Sequence, residues 1–98
     1  MSTIEIDQLV WDKENIEHIA RHDILTHEVE EACIDQEIIV RTSYGGRYLV
    51  TGKTAEGKLI SIVLDPEEIK DCYYVVTARS ANKKERREYD KNQTYSSV

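Results

Sequence analysis

Apolar and polar positions change period twice along the chain. From Ile4 to Trp11 they alternate loosely, with Ile4 and Ile6 set against Glu5 and Asp7, and close on Leu9-Val10-Trp11, the pattern of a short strand. Ile16, Ile19 and Ala20 then recur at helical spacing behind Asp12, a side chain suited to an N-cap. Glu14 stands in the first turn, where the helix dipole favours an acid, so a first helix is predicted over 12–22. Asp23-Ile24-Leu25 leads to a second helix, with Thr26 as its expected cap, Glu28 behind it, and Val29, Ala32 and Cys33 as its buried stripe.

From residue 38 the period shortens to that of strands. Ile38 to Thr42 is followed by a Tyr44-Gly45-Gly46 turn, Arg47 to Lys53 by an Ala55 to Lys58 turn, and Leu59 to Leu64 is nearly all apolar, as a covered central strand requires. Pro66 predicts a loop over 65–68, because proline donates no ladder hydrogen bond. In the last strand, Asp71 to Arg79, alternation puts Cys72, Tyr74, Val76 and Ala78 on one side and Tyr73, Val75, Thr77 and Arg79 on the other. Ser80 or Asn82 then caps a terminal helix reaching about Lys91. The expected order is β-α-α-β-β-β-β-α, an α+β fold whose mostly antiparallel sheet carries its helices on one face. One domain is expected over 1–91, with a polar, mobile tail over 92–98.

Composition narrows the class. With 98 residues, 40% of them apolar and 33% charged, the chain is too apolar for disorder. No apolar run approaches the roughly 20 residues of a membrane span, and Met1 to Asp7 does not read as a signal peptide. Cys33 and Cys72 show neither CxxC nor zinc-module spacing. They read as packed thiols in a cytoplasmic protein, with a disulfide or a reactive thiol as the alternatives.

The net charge of -6 conceals a gradient. Residues 1–37 set eleven acids against Lys13 and Arg21, a balance of -9, whereas residues 79–91 set six bases against three acids. Such acidity excludes non-specific coating of nucleic acid and leaves room for a local phosphate site in the basic segment or a basic protein partner for the acidic half.

No phosphate loop, dinucleotide fingerprint, nucleophile elbow or zinc signature occurs. His18 and His22 share a helix face at i, i+4, a spacing that serves a metal, a proton-transferring imidazole or two solvated side chains, and no third metal ligand follows from the spacing. His27, near a helix start, reads as a surface residue. Arg79 ends an apolar strand, so its guanidinium needs either a structural carboxylate such as Glu85 or a ligand phosphate. Lys83, Arg87 and Lys91 make a basic stripe beside Lys84 and Arg86, the pattern of a solvated face or an anion site.

Several of these segments together resemble the BrnT-type toxins. Trp11-Asp12, Arg21-His22 and Glu30-Glu31-Ala32 resemble the family's front half. Arg47 to Gly52 with Gly57-Lys58-Leu59 is similar to its central hairpin, and Thr77-Ala78-Arg79-Ser80-Ala81 followed by Glu85-Arg86 and Tyr89 is similar to its ending. The likeness spans roughly residues 10–91. It implies a RelE-like fold, a toxin of a type II toxin–antitoxin system, and metal-independent endoribonuclease activity that arrests translation and growth without a cofactor. The implied partners are an RNA substrate and a BrnA-like ribbon-helix-helix antitoxin, through which alone operator DNA is bound.

Cleavage by the RNA's own 2'-OH needs a base, an acid for the leaving 5'-oxygen, and cations for the phosphorane. The resemblance implies His22, Arg79 and Arg86 as the catalytic group, with Arg21, Lys83, Arg87 and Tyr89 holding RNA or phosphate; Tyr89 offers a hydroxyl or a stacking surface, and Glu85 orients Arg79 or Arg86. Two positions depart from the family pattern. Asp23 stands where a Gly is typical, and His18 where an Asn is typical. The alternatives are an inactive member that only binds an antitoxin, or a small non-enzymatic binding module.

Overall fold

The computed structural model describes residues 4–96, with side chains through Asn92. Its elements are β1 (Gln8–Val10), α1 (Lys13–Ala20), α2 (Thr26–Cys33), β2 (Ile39–Thr42), β3 (Tyr48–Lys53), β4 (Leu59–Pro66), β5 (Cys72–Ser80) and α3 (Lys83–Ser96), with a 3-10 turn at Tyr44–Gly46. This is the α+β order expected from the pattern. One five-stranded sheet runs β1-β5-β4-β3-β2. Tight turns make β2 to β5 successive antiparallel neighbours, and β1 returns to lie parallel to β5, Gln8 beside Cys72 and Val10 beside Tyr74.

Strand alternation divides the sheet into two faces. Val50, Ile60, Ile62, Leu64, Val75 and Ala78 join Ile19, Ile24, Val29 and Ala32 in one core, so α1 and α2 cover this inner face. α2 lies so close to β3 that a Cβ on Gly52 would sit 2.3 Å from the Ala32 carbonyl oxygen. Leu59 points the other way and packs with Ala81, Tyr89 and Ile39. The expectation that all helices share one face is therefore corrected: α3 covers the outer face. The cause lies in β4, where Leu59 and Ser61 alternate with Ile60 and Ile62 and are equally buried.

Four local expectations also change. β5 does not alternate strictly, because Val63 pairs with Thr77 while Leu64 pairs with Val75, leaving Val76 as an extra residue. Tyr73, Val75 and Ala78 consequently share the inner core. Pro66 sits in β4 opposite Tyr73, beyond Leu64 where β3 ends, so no neighbour on that side needs its missing donor. α2 is capped at Leu25 rather than Thr26, and the Leu25 amide donates to Glu28 Oε1 at 2.9 Å. α3 runs to Ser96, past Lys91, since no Gly or Pro interrupts residues 83–96. The tail expected over 92–98 thus lies partly in this helix, and residues 97–98 fall outside the described residues.

Both cysteines are free and buried, as packed thiols should be. Burial, reinforced by the nearby Glu30 charge, pushes the Cys33 thiol up to about 12, which keeps it protonated and unreactive. Among the described residues no helix is long and apolar enough to cross a membrane.

Candidate functional site

Arg79 lies on the outer face at the end of β5, where Asn82 turns the chain into α3. The Asn82 side chain accepts from the Glu85 amide at 2.8 Å and Glu85 Oε1 accepts from the Asn82 amide at 2.9 Å, a reciprocal cap that fixes the carboxylate at the helix start. Arg79 closes on it as a fork, Nη1 to Oε1 at 2.8 Å and Nη2 to Oε2 at 2.9 Å. Ser61 Oγ, from the neighbouring strand, donates to Oε1 at 2.8 Å. Since the Ser61 proton is committed there, Thr51 Oγ1 must donate in the 2.8 Å contact between the two hydroxyls. The result is a relay from two strands into α3, Thr51 to Ser61 to Glu85, met by Arg79 of β5 from the other side.

The Arg79 fork, with help from the Asn82 amide and Ser61, holds the Glu85 carboxyl down at about 2 despite its burial, and Arg79 is raised in turn, chiefly by its hydrogen bonds to Glu85. Glu85 therefore orients Arg79, not Arg86. The guanidinium is 41% exposed and keeps donors that Glu85 does not occupy. It presents direction more than net charge, because its partner neutralises it.

His22 belongs to the other face. α1 is locked at its start: Asp12 caps it, its carboxylate also accepts from Tyr74 Oη, and buried Asn15 donates to the Val10 and Val75 carbonyls. The helix then runs along β5, past the point where β1 stops, and ends at Arg21. The last turn is closed by the Ile24 amide donating to the Ile19 carbonyl, with Asp23 at φ 60°. A left-handed cap favours Gly, and Asp is one of the few other residues that tolerate it. Lys58 pins the same corner, reaching the Asp23 carbonyl at 3.1 Å and Glu28 at 3.6 Å. His18 and His22 are exposed, their ring centroids 5.8 Å apart, and Arg21 is exposed beside them.

The structure thus gathers Lys83, Arg86 and Arg87 on an exposed face of α3, holds Arg79 on Glu85 at the start of that helix, and sets Arg21 and His22 on the opposite side of the sheet. β1 covers only Cys72 to Tyr74, so from Val76 to Ser80 the edge of β5 has no strand beside it among the described residues. Lys83, Arg86 and Arg87 are exposed and line, with Asp90, a shallow hollow of about 310 Å³. Tyr89 is not with them. It is 1% exposed, its hydroxyl donates to Asp35 Oδ2 at 2.6 Å and Lys53 Nζ lies 5.3 Å from its ring centre. Its expected role as a stacking surface is corrected: i, i+4 spacing from Glu85 turns it into the sheet.

Several of the residues on which the expected resemblance rests hold the fold. Trp11 Nε1 donates to Glu30 at 2.8 Å, Glu31 accepts from the Ala55 amide, Ala32 meets Gly52, and Glu85 and Tyr89 fasten α3. Sequence reasoning missed Asn15, Asp35, Thr51 and Ser61. The signal for Asn15 was its place three residues after Asp12; Thr51 and Ser61, polar residues within apolar strands, signalled a buried partner. No protein-family model matches the chain, and no curated protein matches it.

Proposed function

We propose that this chain is the toxin of a cytoplasmic type II toxin–antitoxin pair, a RelE-like, metal-independent endoribonuclease restrained by a BrnA-like ribbon-helix-helix antitoxin. One observation carries the reading: an acidic chain gathers Lys83, Arg86 and Arg87 on one exposed face of α3, the helix whose first turn holds Arg79 in its fork. A backbone of phosphates lying along the edge of β5 that no strand covers meets these cations from one face and the His22 imidazole from the other. In that pose His22 exchanges the proton of the 2'-OH or of the leaving oxygen, Arg79 directs two donors at the phosphorane, and Arg86 with Lys83 and Arg87 supplies net positive charge. Arg21 adds a cation next to His22. The acidic front half suits a basic antitoxin segment.

A second reading, an inactive member that binds the antitoxin without cutting, is favoured by the placing of His22 and Arg79 on opposite faces. Induction of the wild-type chain, His22→Ala and Arg79→Ala in a bacterial host, with growth and total RNA followed, separates the two. The nuclease reading expects growth arrest and fragmented RNA from the wild type and loss of both in each variant. Equal toxicity of all three removes the assigned residues, and intact RNA in every strain, with an antitoxin still bound in a pull-down, selects the second reading.

A further inference from the structure

We propose that His18 and His22 form a clamp for a borderline transition-metal dication of the Cu²⁺, Ni²⁺ or Zn²⁺ class. Both imidazoles are exposed, His18 on the last turn of α1 and His22 in the turn that closes it, with ring centroids 5.8 Å apart and planes tilted by 58°. A ring nitrogen binds Zn²⁺ at about 2.0–2.1 Å, so two imidazoles on a tetrahedral ion have centroids about 5.2 Å apart. The observed spacing is within a side-chain adjustment of that value, and the backbone carrying both rings is already set. Asn15 and Ile19, on the same helix, are buried, and Ile24, fully buried, follows one residue after the Asp23 cap. Little ordering entropy therefore remains to be lost when an ion bridges the two rings.

The surroundings favour a dication on balance. Glu14 and Glu17 stand on the same helix and Asp23 follows His22; Arg21, and Lys58 on the Asp23 carbonyl, oppose it. Among the described residues no three His, Cys, Asp or Glu side chains converge on one point. Water thus completes the coordination, and such a two-ligand site is exchangeable, unlike a closed four-ligand structural site. Imidazole donors exclude Mg²⁺ and Ca²⁺, which prefer oxygen. One consequence rests on the proposed function: an ion on His22 occupies the nitrogen that proton transfer needs, so the clamp inhibits cleavage.

The test is calorimetric titration of the full chain with Cu²⁺, Ni²⁺, Zn²⁺ and Mg²⁺, with Ni²⁺ also followed through the imidazole resonances. One ion per chain is expected, tightest for Cu²⁺ and undetectable for Mg²⁺, with the His18 and His22 signals broadened before that of His27. His18→Gln and His22→Gln should each weaken binding at least about tenfold, because the second ligand acts at high effective concentration; His27→Gln should not. No saturable binding, or binding that survives the double substitution, overturns the clamp. In the RNA assay, Ni²⁺ should stop cleavage in step with occupancy and spare the His18→Gln protein. A wild type that never cleaves RNA sinks the nuclease reading, yet the isotherms still decide the clamp.

Discussion

On the inner face of the sheet Ile19, Ile24, Ile60, Ile62 and Val75 are sealed from water by shape alone, whereas on the outer face the equally buried Ser61 and Thr51, and Glu85 with 6% exposure, are sealed by a chain of hydrogen bonds. The difference is between two ways of closing a sheet. Apolar packing tolerates any pH and little change of volume. A buried carboxylate tolerates changes around it only while every donor is in place, and its contribution depends on remaining ionised.

The sharpest way to break this contrast is steric. Gly52→Ala forces a methyl against the Ala32 carbonyl, which is backbone and cannot swing aside, so a loss of about 3 kcal/mol in urea unfolding is expected. That loss should be the same at pH 3 and pH 7.

Next comes Glu85→Gln, which leaves the Arg79 fork without its charge partner; because Arg79 is partly exposed, a loss of about 2 kcal/mol is expected at neutral pH. The Glu85 carboxyl is depressed in the fold, from 4.5 to about 2. Its stabilisation is therefore complete above pH 4.5 and fades as pH falls toward 2. The gap between wild type and variant should close over that window, and a gap that stays constant would place the stabilisation elsewhere.

The smallest effect is a gain. Asp23→Gly relieves a left-handed residue at φ 60° and should add about 0.5 kcal/mol, read from the same urea curves. A loss there would mean that the Asp23 side chain holds the corner, and not the backbone alone.

Much of this contrast was legible before any coordinates. The strand and helix order, the Asp12 cap, the nearly continuous apolar run of β4 and the pairing of Arg79 with Glu85 follow from local pattern or near neighbours. Less visible were contacts between residues far apart in the chain. Tyr89 reads as a surface aromatic among charges until Asp35 and Lys53 are seen around it. Gly52 reads as an ordinary strand glycine until α2 lies on it. The candidate site was read as one constellation, although its imidazoles and guanidinium stand on either side of a strand.

By itself the sequence determined which segments become helices or strands and which apolar stripes avoid water, since periodicity and capping are local and act within a few residues. Only the tertiary structure decided that α3 takes the opposite face from α1 and α2, that Val76 is the extra residue in β5, and that, among the described residues, the end of β5 has no strand beside it. These outcomes depend on which surface each apolar stripe finds free after its neighbours have packed, and no stretch of chain carries that information alone.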